Sequence, residues 1–245
     1  MRKLSFHLNS KAGLEFVFSS GQAASYPPHS HLNSFTITLV RKGTVAVKRP
    51  GGCALYQAGE VYIDAPHEVH RPSYDDDYDL VSLCLDKKEL PGPSGEALEE
   101  LFLNQAGFMS DRGLLSSADV AALLSGVSEI SGDREWLLKA KAEPLAKLPG
   151  LQPLLNEPAN TPGLYPPQGS SSHFSRRFKE LLGLTPHQYL LQCRIRSAKK
   201  MLAADMPIAE AAQLAGFCDQ SHLNRCFKKS VGLSPKQYVR ACSFF

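Results

Sequence analysis

Hydrophobic and polar positions change rhythm along this chain, and each rhythm predicts a different kind of element. Between residues 13 and 85, β-branched and apolar residues gather in short runs: Leu14–Ser19, Phe35–Val40, Thr44–Lys48, Glu60–Ile63 and Tyr78–Leu85. Gly, Pro and Asn punctuate them, so this part predicts a small antiparallel sandwich or barrel. From 96 to 147 the spacing turns helical, through Leu98, Leu101 and Phe102, then Val120, Leu123, Leu124 and Val127, then Trp136, Leu137 and Leu145. Pro144, Pro149, Pro153, Pro158 and Pro162 interrupt that pattern and predict a linker of limited freedom. Beyond the linker the helical period returns and holds to the end, which makes the chain α+β.

The last part repeats itself. Residues 172–190 read SHFSRRFKELLGLTPHQYL and residues 221–239 read SHLNRCFKKSVGLSPKQYV, identical at 10 of 19 positions. Each copy predicts an amphipathic helix (Phe174, Phe178, Leu181 and Leu182; Leu223, Phe227 and Val231) stopped by Gly183 or Gly232. A second helix then opens with Thr185-Pro-His-Gln or Ser234-Pro-Lys-Gln. That order puts a hydroxyl at the cap, Pro at the first helical position and Gln at the third, the reciprocal capping arrangement. Residues 186–204 between the copies read as one helix, spanning about 28 Å at 1.5 Å per residue. Successive major grooves on one face of a duplex lie about 34 Å apart, so such a helix suits two readers.

Charge separates the halves. Residues 1–164 hold 15 Lys+Arg against 20 Asp+Glu, whereas residues 165–245 hold 12 against 4. A basic tail on an acidic front is what a nucleic-acid-binding module joined to another domain would carry. Upstream of the second copy, Met206 to Phe217 predicts a short helix opened by Pro207, small at Ala211 and Ala212, and turned at Gly216 into a helix starting near Asp219. Gln220, Ser221, Asn224, Arg225 and Lys228 form the polar side of that helix, the side that enters the major groove in a helix-turn-helix. The plainer alternative is a helical hairpin with a solvated basic face.

These residues resemble the AraC family of bacterial transcription regulators. PIAEAAQLAGFCDQSHLNRCFKKSVGLSPKQYVR is similar to its second helix-turn-helix, and SSSHFSRRFKELLGLTPHQYLLQCRIRSAKKML to the end of its first plus the linker helix. The resemblance implies that Gln220, Ser221 and Arg225 face bases from the second recognition helix, and Ser172, Ser175 and Arg176 from the first, Ser171 to Leu182. With Asn224, Lys228 and Lys179 they make up the expected DNA-facing set. One stretch departs from the family: residues 160–166 read Asn-Thr-Pro-Gly-Leu-Tyr-Pro where the first unit needs its scaffold helix, and interior Pro costs about 3 kcal/mol. The first reader is therefore expected to be degenerate, with most discrimination left to the second.

In the front half, Tyr26-Pro-Pro-His-Ser-His31, Gly43 and Ala58 to His70 resemble the two motifs of the cupin barrel, which serves as the sensor half of many such regulators. Cupin enzymes use histidines of this kind with a glutamate to hold a divalent metal. His29, His31 and His70 are present, but Leu32, Asn33, Ser34 and Phe35 stand where that glutamate is expected. No metal and no cofactor is therefore expected, and His29, His31, Phe35, Tyr62 and His70 are read as lining an effector pocket. In the plainer reading His29 and His31 cap a strand. Asp75 to Asp79 reads as a solvated loop.

The 245 residues, 43% hydrophobic and 21% charged, exclude a disordered, collagenous or coiled-coil chain. Cys53, Cys84, Cys193, Cys218, Cys226 and Cys242 form no CxxC pair and read as reduced hydrophobic fillers. No apolar run reaches the roughly 18 residues of a membrane span and the opening lacks a signal-peptide core, so the expectation is a cytoplasmic protein with no membrane partner. The expected divisions are a cupin-like sensor (1–92), a helical connector (93–147) that either pairs two subunits, as the resemblance implies, or packs within one chain, a Pro-rich linker with the degenerate start of the first helix-turn-helix (148–169), and an all-α DNA-binding domain (170–245). The expected function is that of a one-component regulator, not an enzyme. Double-stranded DNA and a small-molecule effector are its expected partners, and the resemblance adds RNA polymerase, a second copy of the chain, and activation as the mode. The rival readings are a cupin metalloenzyme and a protein-interaction module with a basic helical tail.

Overall fold

The computed structural model of the chain describes residues 3–9, 14–31, 34–74, 77–86, 95–132 and 171–244. Two compact units emerge, Met1–Lys141 with Ser243–Phe245, and Ala142–Cys242. The proline-rich linker, the apolar cluster around Trp136 and Leu145, the departing stretch 160–166, and the divisions expected near 92, 147 and 169 lie outside the described residues. So do Asp75 and Asp76 of the acidic loop.

In the first unit the strands are β1 (Lys3–Asn9), β2 (Leu14–Gly21), β3 (Ala24–Ser25), β4 (Ser34–Lys42), β5 (Thr44–Arg49), β6 (Gly52–Gln57), β7 (Val61–Asp64), β8 (Arg71–Tyr74) and β9 (Tyr78–Asp86). One sheet runs β1-β2-β9-β4-β7, with the chain's last strand, β10 (Cys242–Phe244), on its β1 edge, and a second runs β3-β8-β5-β6. The pairings among β1 to β9 are antiparallel. The five expected runs fall in β2, β4, β5, β7 and β9.

Strand parity divides the core in two. Phe35, Ile37 and Leu39 of β4 join Leu14, Phe16, Val81, Leu83 and Leu85 on one face, which helices α1 (Gly95–Asp111) and α2 (Ser117–Gly132) cover with Leu98, Phe102, Met109, Leu123, Val127 and Ile130. Burying each such side chain contributes about 1.5–3 kcal/mol. Gly126 lets α2 lie close, since a Cβ there would stand 2.6 Å from Ile37 Cγ2. Arg41 ties the strand to the helix start, donating from Nη2 to Asp119 Oδ2 at 2.8 Å. Asp119 itself closes a reciprocal cap with Ser116. The other face of β4 carries Thr36, Thr38 and Val40 into the barrel interior. There a second cluster gathers Val45, Val47, Tyr62, Tyr74, Tyr78 and Leu80.

The second unit carries α3 (Ser171–Leu182), α4 (Pro186–Ala203), α5 (Ile208–Leu214), α6 (Gln220–Val231) and α7 (Pro235–Ala241). Both expected capping boxes form: the Thr185 and Ser234 hydroxyls accept from the Gln188 and Gln237 amides, while each Gln side chain accepts from the cap's own N–H. The repeat is also one of packing. Phe178 meets Tyr189 edge-on at 5.7 Å and Phe227 meets Tyr238 at 5.3 Å, the same pair in each copy. Of the cysteines, Cys193 is buried as expected of a filler, and burial pushes its thiol up to about 12. Cys53 and Cys218 are exposed, which corrects their reading as fillers: each sits at a turn or sheet edge with no core to enter.

Candidate functional site

Among the described residues, two places bring chemistry-bearing side chains together. The first is built on α5 and α6. Ala211 and Ala212 are fully buried, leaving room for close helix approach. Gly216, at φ 79°, adopts the left-handed backbone that the turn between the helices requires. Asp219 then caps α6, its Oδ1 accepting from the His222 amide at 2.7 Å. Leu223 and Phe227 pin one side of α6 into the core, and this leaves Gln220, Ser221, Arg225 and Lys228 in solvent with Asn224 half-buried. Ser221, Arg225 and Lys228 recur at i, i+4 and i+7 and so form one stripe.

In α3 the matching stripe is Ser172, Arg176 and Lys179, all exposed, with Ser175 half-buried beside buried Phe178. The two stripes differ in their electrostatics. Arg176 Nε lies 3.6 Å from Glu180 Oε1, an i,i+4 pair. At the position matching Glu180, α6 carries Lys229, so Arg225 is followed by two lysines. Sequence reasoning passed over Glu180, though its place one turn after Arg176 was the available signal.

The second place is the barrel interior. His29 and His70 are joined by an antiparallel bridge, each amide donating to the other's carbonyl at 3.0 and 2.9 Å. His31 is brought alongside by its carbonyl, which accepts from the His67 amide at 2.9 Å, and its ring stacks on His70 with centroids 5.0 Å apart. One ring nitrogen from each of the three lies within 4.8 Å of the others. Ala65-Pro66-His67-Glu68 makes the turn that returns the chain, with His67 at φ 67° and the Glu68 amide donating to the Ala65 carbonyl at 3.1 Å.

Carbonyl oxygens only accept, so contacts of His29 Nδ1 with Pro27 O at 3.0 Å and of His70 Nδ1 with Glu68 O at 3.2 Å place the proton on Nδ1 in both rings. Nε2 is left as the lone-pair nitrogen. Burial holds both imidazoles down at about 4, so they are neutral at neutral pH. His70 Nε2 lies 3.5 Å from Asp64 Oδ2. Asp64 is 2% exposed, and its other oxygen accepts from Arg49 Nη2 at 2.7 Å, while Arg49 Nε faces Glu68 Oε1 at 3.3 Å. Burial raises the Asp64 carboxyl and the Arg49 charge pulls it back. Neutral, oriented imidazoles beside a carboxylate are the donor set a divalent transition metal takes, and hydrogen-bonding each ring's remote N–H is how such ligands are held.

Tyr62 shares this interior, facing it beside Asp64, and burial raises its phenol. Phe35 does not. It belongs to the helix-covered core, because odd positions of β4 face away from the barrel. The effector-lining role read for Phe35 is corrected accordingly. Sequence reasoning missed Arg49, which lies in no motif, and Asp64, which lies within the Ala58–His70 motif but carries no sign of facing inward.

Against this geometry, residues 169–241 match the family profile described as a helix-turn-helix domain. The class is therefore a β-rich domain joined in one chain to a helix-turn-helix domain. Among curated proteins, the chain is 42% identical over 52 residues to the probable transcriptional regulator LumQ of Photobacterium leiognathi, covering 21% of each. The match thus spans about a fifth of that relative's length. Among solved structures, ToxT from Vibrio cholerae O395 shares the fold over 94% of this chain and 98% of its own, with TM-score 0.54 and 9% identity. The Schizosaccharomyces pombe Cnp3 cupin domain is similar over 36% of this chain and 66% of its own, with TM-score 0.33 and 9% identity. Among the described residues no helix is long and apolar enough to cross a membrane.

Proposed function

We propose that the chain is a one-component transcription regulator whose α6 reads bases in the major groove while α3 chiefly positions the protein on the phosphate backbone. The observation that carries this reading is the pair of matched stripes, Ser221, Arg225 and Lys228 against Ser172, Arg176 and Lys179, of which only the first carries an acid-free run of positive charge after its arginine. Arginine bidentate to guanine is the commonest specific contact in the groove, and serines offer less discrimination. Gln220 and Asn224 extend the reading face, and Lys179 adds charge to the positioning one. The cupin-like interior, with His29, His31, Tyr62 and His70, is the sensor. Its ligand acts by favouring one of two states that bind DNA differently. A small-molecule effector, RNA polymerase and a second copy of the chain belong to this proposal as partners, and the cytoplasm as its location.

Selection from a random duplex pool with the purified full chain at physiological salt tests it. The expected result is a recovered motif whose strongest positions weaken in Arg225→Ala. Recovery of no motif favours a protein-interaction module and overturns the proposal.

A further inference from the structure

The strand at one edge of the second sheet has none of the devices that keep an edge from pairing. We infer that this strand, β6 (Gly52–Gln57), is where a second copy of the chain docks, the two β6 strands running antiparallel about a two-fold axis at Ala54. The inference rests on the proposed reading, which counts a second copy among the partners, and places the pairing surface on the sheet rather than on the helices.

Three observations carry it. First, β6 ends the order β3-β8-β5-β6, so its outer side has no strand beside it among the described residues. Its sequence, Gly-Cys-Ala-Leu-Tyr-Gln, holds no charge and no proline, and its register with β5 runs without a bulge. Natural sheets guard their edges with those features or keep them short, as at the other edge of this sheet, where β3 is only Ala24–Ser25. Leu55, in the middle of the unguarded strand, is 65% exposed, more than Leu103 or Leu214.

Second, the backbone fixes the register. Glu60 takes both outward groups of Gln57: the Gln57 amide donates to its carboxylate at 2.6 Å, and the Gln57 carbonyl accepts from its amide at 3.0 Å. Backbone groups alternate sides along a paired strand, so Cys53 and Leu55, two and four residues back, also turn their amides and carbonyls away from β5. Setting Cys53 against the partner's Leu55 lets these groups bond one another in both copies and leaves Gln57 to Glu60. Centring the axis on Leu55 instead would set Cys53 against the partner's Gln57, whose amide is already used.

Third, the side chains agree with that register. On the outer face Leu55 comes beside the partner's Cys53, and no like charges are opposed. On the inner face Tyr56 comes opposite the partner's Gly52, where a Cβ would meet nothing within 4 Å, and an aromatic ring across from an edge glycine is a favourable pair. A two-fold pairing uses up the same edge in both copies, so the assembly closes as a dimer. Helices α1 and α2, by contrast, spend Leu98, Phe102, Leu123 and Val127 on the core of their own chain.

Sedimentation velocity of the full chain over a concentration series tests the interface. The expected result is a reversible dimer that Leu55→Lys converts to monomer and that Leu103→Lys, on the exposed side of α1, leaves intact; far-UV circular dichroism confirms that each variant is folded. Oxidative trapping in a Cys53→Ser background reads the register. Residues opposed at a non-hydrogen-bonded position lie about 4.5 Å apart, within disulfide reach, so Ala54→Cys at the axis is expected to give a linked dimer and Gln57→Cys is not. A parent chain monomeric at every concentration, a dimer unaffected by Leu55→Lys, or equal trapping at 54 and 57 overturns the inference. Duplex discrimination separates the two readings: discrimination by a chain that stays monomeric sinks the interface alone, and a dimer joined through β6 that discriminates no duplex sinks the regulator alone.

Discussion

Arg49 holds Asp64 through one carboxylate oxygen, at 2.7 Å, in a place where Asp64 is 2% and Arg49 17% exposed. Two charges kept this dry are costly unless each has its partner. Asp64→Leu is expected to destabilise the first unit by about 3 kcal/mol, the low end for a broken buried pair, because Glu68 still faces the guanidinium. The double change Arg49→Leu/Asp64→Leu is expected to cost less than the two single changes added together. Urea unfolding of the three variants checks this, and strict additivity would mean that the pair does not act as a unit.

The neutral histidines give the first unit a pH dependence with a definite sign. Burial lowers His70 from 6.5 to about 4, with the Glu68 carbonyl opposing and Arg49 assisting. The unfolded chain protonates that imidazole at its ordinary value, and the folded one resists until about 4. Stability from this source is therefore complete above pH 6.5 and lost as pH falls from there to about 4. Asp64 acts in the opposite sense: its carboxyl is raised in the fold, so its contribution is present at low pH and fades as pH rises through the folded value. His70→Gln removes the first effect and keeps the second. Urea midpoints between pH 7.5 and 4.5 are expected to fall more steeply in the parent chain than in this variant; equal slopes would contradict the assignment.

Caps that recur in both copies are expected to matter equally. Thr185→Ala and Ser234→Ala each remove a hydroxyl that accepts from the third helical amide. Each loss is expected to cost about 1 kcal/mol. Thermal unfolding followed by circular dichroism measures it, and Thr185→Ser, which keeps the acceptor, serves as the control.

Gly43 joins β4 to β5 at φ 84°, where a Cβ would stand 2.6 Å from the Asp77 carbonyl oxygen. The obstacle is backbone and cannot rotate away. Gly43→Ala is expected to destabilise by about 1–3 kcal/mol, combining left-handed strain with the clash. A chemical-denaturation midpoint unchanged by this substitution would show that the turn rearranges at little cost.

Much of this architecture is legible in the residues, and what escapes them has physical reasons. The repeat, its helix ends and both capping boxes follow from local chemistry, because a hydroxyl, Pro and Gln at fixed offsets leave few alternatives. β2, β4, β5, β7 and β9 announce themselves as apolar runs. β6 does not, since it alternates toward solvent at a sheet edge and leaves Leu55 65% exposed. β8 is only four residues with Pro72 among them. Every residue from Phe35 to Val40 is buried, and a strand covered on both faces gives no sign in its sequence of which parity faces a ligand, so Phe35 is not distinguishable from a pocket residue without the fold. Arg49 and Asp64 were invisible for a related reason: charges in short strands usually face water, and only the pairing of β4 with β7 turns Asp64 inward.

On DNA the two stripes are expected to behave differently. Arg225→Ala is expected to lose about 1–3 kcal/mol of preference at one base position, and Lys228→Ala to weaken all duplexes alike while lowering the salt slope by about 1. Arg176→Ala is expected to resemble Lys228→Ala, and Glu180→Ala to strengthen binding to every sequence by releasing Arg176.

The most direct measurement is the ratio of affinities of the full chain for its selected duplex and for a scrambled duplex of equal length, at physiological salt. A base-reading α6 predicts a ratio of at least about 10³, reduced by Arg225→Ala far more than by Arg176→Ala. A ratio near one, or equal loss from both substitutions, would contradict the account.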